Sequence, residues 1–294
     1  MAAIFLTHHA VEKPWGRRDL APLFDDPAPD APAIGEIWYD DPRGCSHDLL
    51  IKYLFTSDRL SVQVHPDDGA ARARGFARGK DEAWIILSAE PDSTIALGFR
   101  ETYDADAVRA AALDGSIEHM LHWQPVRAGD VIYSPAGTVH AIGKGLRVVE
   151  IQQNLDLTYR FYDYGSDREL HLDDAMAVSD FIPFTGQAPA RSIGAGRDIL
   201  AEGGKFILER WTAGGEHRLV PGELPLWLLP VEGALHIDGQ ATGLGDAILV
   251  EGSSVITLSQ DATVYAAYPG ADVLGTLLGS IARSTSDSNC AVTG

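Results

Sequence analysis

Gly129-Asp130-Val131-Ile132-Tyr133-Ser134-Pro135-Ala136-Gly137-Thr138-Val139-His140 reads as a strand that runs into a Pro-Gly turn and returns with an imidazole. Its skeleton is Gly, five residues, Pro-x-Gly, two residues, His. A histidine satisfied within an apolar core is the plain alternative. With glycine and proline at this spacing, the reading favoured for His140 is a metal ligand.

Working outward, short apolar runs punctuated by Gly and Pro fill the chain. LSVQVH (60–65), AWIIL (83–87), LRVVEIQQ (146–153), KFILERW (205–211) and LWLLPVEG (226–233) are rich in β-branched and aromatic residues. Strands this short and this closely spaced predict an all-β sandwich or barrel. Two interruptions predict helices, Asp67 to Arg78 and Asp104 to Leu113, the second opening on good capping residues. GDVIYSPAG (129–137) and GDAILVEG (245–252) look like two copies of one Gly-Asp-plus-strand element, which suggests a tandem β architecture with a specialised first copy.

The chain has 294 residues, with 23 Lys plus Arg against 42 Asp plus Glu, a formal charge of −19. A field of that sign repels nucleic acid and anionic membranes, so neither is expected as a partner. An anionic small molecule would need local cations to overcome it. No apolar run approaches the roughly 20 residues of a membrane helix. The start, MAAIFLTHHAVEKPWG, lacks a basic opening and is not read as a secretory signal. Cys45 and Cys290 suggest no disulfide framework, which fits a reducing cytoplasm.

In Ser61-Val62-Gln63-Val64-His65-Pro66 alternation puts Ser61, Gln63 and His65 on one face and the valines on the other. Pro66 cannot donate to a ladder, so the strand ends beside the polar pair. In Gly79-Lys80-Asp81-Glu82-Ala83-Trp84-Ile85 the acid Glu82 shares a face with Trp84. A carboxylate among apolar neighbours is costly without a charged partner or a metal. A surface Lys80–Glu82 pair is the bland reading of that element alone.

Together these motifs resemble the cupin superfamily, and within it the type I phosphomannose isomerase family. Gln63-x-His65 followed by Glu82 stands where cupins usually offer His-x-His and then Glu. Further matches are Lys13-Pro14-Trp15-Gly16, Gly35-Glu36-x-Trp38, Lys52 eleven residues before Gln63, VQVHPDD (62–68), PAGTVHAIGKG (135–145), Glu150 to Asn154 and Thr158-Tyr159-Arg160. The resemblance is dense over residues 11–165, looks closest to the short bacterial form, and beyond about residue 200 is only cupin-like.

The resemblance implies two cupin-type (double-stranded β-helix, jelly-roll) barrels with small helical insertions. Residues 1–180 would form a catalytic domain with the metal site, 181–196 a linker, 197–280 a degenerate second cupin, and 281–294 a flexible tail. It implies one Zn2+ per chain on Gln63, His65, Glu82 and His140. Two imidazoles, a carboxylate and an amide oxygen suit a borderline divalent ion. Arg160 and Lys80 carry over as catalytic residues, and Ser61 and Lys52 as the phosphate contacts. Arg160 also has a plain reading, a surface ion pair with Asp156 or Asp163. The implied reaction interconverts mannose 6-phosphate and fructose 6-phosphate through an enediol.

This chain departs from the long-form pattern twice: Gly79 stands where a His precedes the lysine, and Leu155 stands where a Ser is expected. In the second half there is no His-x-His, Glu251 replaces the expected Pro, and His217 and His236 are isolated. A metal-containing cupin that only senses a sugar phosphate and an iron oxygenase are the competing classes. The residue types leave the catalytic base unassigned, and a monomer and a homodimer both fit.

Overall fold

In the computed structural model of the chain, residues 3–186 and 188–280 are described. The first part runs β1 (Ala3–Phe5), β2 (Thr7–Arg17), β3 (Ile34–Asp40), β4 (Leu49–Thr56), β5 (Val62–Val64), α1 (Asp68–Ala73), β6 (Glu82–Ala89), β7 (Thr94–Phe99), α2 (Ala105–Asp114), α3 (Ile117–Met120), β8 (Leu121–Pro125), β9 (Val131–Ser134), β10 (His140–Ile142), β11 (Leu146–Gln153), β12 (Tyr159–Tyr162) and α4 (Leu172–Val178). It continues with β13 (Arg191–Gly194), β14 (Arg197–Glu202), β15 (Phe206–Trp211), β16 (Gly215–Leu219), β17 (Leu226–Glu232), β18 (Leu235–Ile237), β19 (Gln240–Ala241), β20 (Ile248–Val250), β21 (Ser254–Leu258), β22 (Thr263–Pro269) and β23 (Leu278–Ser280). Residues 281–294, including Cys290 and the expected tail, lie outside the described residues.

The protein is all-β with small helices, built as four antiparallel sheets. Their orders are β12-β5-β10-β7-β8, β2-β3-β4-β11-β6-β9, β1-β20-β17-β22-β15-β14-β13 and β19-β18-β21-β16-β23. Alternation along the strands explains the stacking. On β4, Ile51, Tyr53 and Phe55 meet Phe206, Leu208, Trp227 and Tyr265 of the seven-stranded sheet in one core. The opposite face of the same strand carries Lys52 and Leu54. Leu54 joins Trp84, Ile86 and Val148 against Ile95, Leu97 and Ile142 of β7 and β10. Both faces of the central six-stranded sheet are therefore covered, and every residue of β4 is buried. Val62, Val64, Ala141 and Phe161 turn outward to pack under α2 to α4. A fourth core joins the seven-stranded sheet to the last sheet.

The two Gly-Asp copies fold into the same turn. Gly129 and Gly245 have φ of 91° and 83°, which suits only glycine. Asp130 Oδ2 accepts from Arg127 N at 2.9 Å, and Asp246 Oδ2 accepts from Gly243 N at 2.6 Å. The helix expected at Asp104–Leu113 is α2, whose cap Asp104 accepts from Ala107 N. The one expected over Asp67–Arg78 is shorter. It stops at Ala73 because Gly75 takes up φ 86°. The helices α3 and α4 were not expected, being only 4 and 7 residues long.

Candidate active site

The slot between the five-stranded sheet of β5 and the six-stranded sheet is apolar at one end and charged at the other. On β5, Gln63 lies opposite His140 of β10 on one side and Arg160 of β12 on the other. Across the slot, β11 sets Glu150 opposite Lys52 of β4 and Trp84 of β6, and Gln152 opposite Glu82. Pairing and pleat alone thus deliver residues spread over 100 positions to one place.

Ligand atoms of His65, Glu82 and His140 lie within 4.8 Å of one another, all buried. His65 Nδ1 lies 2.9 Å from Leu157 O, and His140 Nδ1 lies 2.9 Å from Thr138 O. Each carbonyl requires a proton on Nδ1, which leaves both Nε2 atoms bare and turned inward. Burial, reinforced by the nearby Lys80 ammonium, pushes His65 down to about 3, and burial also lowers His140, so both rings are neutral. Glu82 lies 3.2 Å from His65 Nε2 and 2.9 Å from Lys80 Nζ, yet neither of its oxygens accepts a hydrogen bond of acceptable geometry. Such a buried, unsatisfied carboxylate facing two bare imidazole nitrogens fits a divalent cation. Gln63 joins them, its Nε2 3.3 Å from His140 Nε2 while its Oε1 accepts from Ser61 Oγ at 3.0 Å. Turning this amide over brings its oxygen to the cluster.

Lys80 is buried, so the bland surface pairing with Glu82 does not describe the structure. Lys52 is buried too, 3.5 Å from Glu150 Oε1 and 4.0 Å from the centre of the Trp38 ring. The two ion pairs are poised differently. Burial alone would raise Glu82, but Lys80 and His65 hold it well below the carboxylate range. Lys80 is in turn pushed up by Glu82 and Glu150 against its burial. Any loosening of its proton is therefore not a property of the chain alone. Burial, then the Glu82 charge, pushes Glu150 up, while burial and Lys80 push Lys52 down. The surroundings thus favour the ionised form of Glu82 and disfavour that of Glu150.

The adjoining cavity is lined by Lys13, Lys52, Lys80, Arg160 and Arg168 against Glu36, Glu150 and Asp156. Arg160 makes no ion pair within 4.0 Å among the described residues, because Asp163 is taken by Arg168 at 2.6 Å and Asp156 lies beyond that reach. Two buried donors lining this cavity, Arg160 Nε and Trp15 Nε1, have no hydrogen-bond partner. A roomier cleft of about 250 Å³ beside Phe184 and Leu200 offers mostly apolar walls, so chemistry rather than size marks the site. Sequence reading did not single out Glu150, Glu36 or Trp38 as cavity groups. The available signal was a lone Glu in the apolar run LRVVEIQQ, matching the lone Lys in LLIKYLFT.

No family model matches the chain. Mannose-6-phosphate isomerase of Streptococcus mutans is 35% identical over 179 residues, 58% of this chain and 56% of that protein. Mannose-6-phosphate isomerase ManA of Bacillus subtilis is 37% identical over 158 residues, 49% of this chain and 50% of that one. The chain thus spans about half the length of the curated relatives it matches. The crystal structure of a mannose 6-phosphate isomerase from B. subtilis superposes with a TM-score of 0.76 at 26% identity, covering 91% of this chain and 99% of that one. The chain is similar to mannose-6-phosphate isomerases in sequence over about half its length and in fold over nine-tenths of it. The likeness of fold extends well beyond the stretch of recognisable sequence similarity. The Salmonella typhimurium enzyme superposes at a TM-score of 0.72 with only 15% identity, a likeness of fold alone.

Proposed function

We propose that the chain is a zinc-dependent mannose-6-phosphate isomerase, holding one Zn2+ on Gln63, His65, Glu82 and His140. One observation carries the reading: a buried His-Glu-His cluster adjoins, through Gln63 and Lys80, a cavity lined by five cations in a chain of net charge −19. Those cations supply the local field that an anionic sugar needs. Zinc suits this donor set better than calcium or magnesium, and when bound it polarises or orients sugar oxygens.

The chain's own residues supply the rest. Aldose–ketose interconversion moves a proton between C1 and C2 through an enediol. Glu150, its pKa raised by burial, takes and returns that proton. Arg160, with its guanidinium short of partners, holds the oxygen on which charge develops. Lys80, held protonated beside Glu82, gives a proton to the C1 oxygen as the enediol forms and regains one from the C2 hydroxyl as it collapses to the ketose. Lys52 and Ser61 are proposed to hold the phosphate, and Trp15 Nε1 gives a further donor to a sugar oxygen. We also read residues 1–180 as the catalytic unit, 181–196 as a linker and 197–280 as the second unit. The two cysteines keep the cytoplasm as the expected compartment. Among the described residues no helix is long and apolar enough to cross a membrane.

Conversion of mannose 6-phosphate by the purified protein, before and after chelation and zinc restoration, tests this. Chelator-sensitive turnover restored by zinc is the expected result. A metal-loaded protein that binds the sugar phosphate without turnover overturns it in favour of a sensing role.

A further inference from the structure

The turn Gly203-Gly204-Lys205 joins β14 to β15 in the seven-stranded sheet, on the far side of the central sheet from the cluster. Lys205 Nζ donates to Asp68 Oδ2 at 2.8 Å. The other oxygen of Asp68 accepts from Gly79 N at 2.8 Å and from Gln153 Nε2 at 3.1 Å. Gln153 Oε1 accepts in turn from Asp81 N at 3.1 Å, and Lys80 N donates to Pro66 O at 3.0 Å. All three successive N–H groups of the strap 79–81 are thus held by groups outside the β6 ladder.

The carboxylate of Asp81 points away from Lys80 and Glu82, as alternation requires. It accepts from Tyr133 Oη at 2.6 Å and from Ala136 N at 3.1 Å. The Tyr133 ring lies against the same turn: a Cβ on Gly203 would come within 1.7 Å of it. Gly79 is pressed as closely on the other side, where a Cβ would meet Asp67 and Asp68 backbone at 2.5 and 2.6 Å.

We propose that the Gly203–Lys205 turn positions Lys80 and Glu82, so that the second half of the chain sets the geometry of the metal cluster. Two connections carry it. Lys205 acts through Asp68 and Gln153 on the backbone of the strap, and Gly203 acts through Tyr133 on Asp81. These are positioning residues, and the proposal rests on the reading of Glu82 as a ligand.

Cobalt(II) alone, titrated into the metal-free full chain and followed by its visible spectrum, tests this without any turnover. Lys205→Met is expected to weaken Co2+ about tenfold, the lower end for residues that orient ligands, and to shift the absorption bands. Lys205→Arg keeps the donor and is expected to restore affinity to within about threefold of wild type. Tyr133→Phe, which removes only a hydroxyl, is expected to weaken Co2+ in the same direction. In turnover, Lys205→Met should lower kcat and leave KM unchanged. Wild-type Co2+ affinity and spectrum in a folded Lys205→Met protein overturn the proposal alone. A wild-type chain that binds no Co2+ overturns the metal reading, and the proposal with it.

Discussion

The rings of His65 and His140 lie 5.0 Å apart, each with Nδ1 tied to a main-chain carbonyl and Nε2 turned toward Glu82. Neither ring can turn its other nitrogen inward without breaking that bond. His140→Ala should therefore remove metal and turnover together, as read by metal analysis of the purified variant. Full metal stoichiometry in that variant would sink the ligand assignment.

Arg160 is the contrasting case, close to the cavity yet outside the cluster. Arg160→Ala is expected to keep metal at full stoichiometry and to lower kcat about 100-fold, the scale of losing one charge-stabilising donor. Wild-type turnover would return Arg160 to a merely electrostatic neighbour of Asp156.

For Glu150 the sign follows from its role. A base works deprotonated, so kcat/KM falls as pH drops through its pKa. Because burial raises that pKa, the acid limb should lie above the ordinary glutamate value of about 4.3. Glu150→Gln should abolish turnover and retain metal; an unchanged pH–rate profile in that variant excludes Glu150 as the base.

Away from the cavity, Glu209 is enclosed by four donors. Arg197 contributes two bonds of 2.7 and 2.6 Å, Trp211 Nε1 one of 2.7 Å and Tyr268 Oη one of 2.6 Å. Glu209→Gln leaves the buried Arg197 charge uncompensated. A loss of about 3 kcal/mol is expected in denaturant unfolding.

Asp41 provides the acid dependence of stability. Hydrogen bonds from Arg43 hold its carboxyl below the usual range, with His47 adding to them at 2.7 Å. A depressed folded-state pKa gives stability that is present above the unfolded value of about 3.9 and is lost as pH falls below it. Asp41→Asn should thus be less stable than wild type at neutral pH, with the gap closing below about pH 4. Parallel melting curves at every pH would refute this.

Much of the fold was legible because strands announce themselves by alternation. LRVVEIQQ, KFILERW and the Gly-Asp turns fold within a residue or two of where the pattern puts them. His140 stood out because Gly and Pro mark the turn that delivers it, whereas Gln63, His65 and Glu82 came with the family resemblance, since alone their elements read as exposed strand ends. Burial was harder to read. Lys80 and Glu82 next to each other look like a surface pair, and only the covering sheet makes them a buried one. Glu150 and Lys52 are opposite each other through strand register, a relationship between positions 98 residues apart that no local motif encodes. Lys205 was silent for the same reason. Its partner Asp68 belongs to another sheet's neighbourhood, and a lone Lys beside two glycines reads as an ordinary turn.

The strand β1 crosses to the seven-stranded sheet, where Ala3, Ile4 and Phe5 pair with Val250, Leu249 and Ile248 of β20. Translation makes the second partner some 245 residues after the first. Until then β1 lacks the ladder it joins in the fold, and the arrival of β20 ties it into the seven-stranded sheet. A nascent chain that lacks β20 therefore leaves the apolar β1 segment without its partner. Cutting the gene near residue 190 would separate this strand from its sheet and leave the β20 edge open to pairing with another molecule.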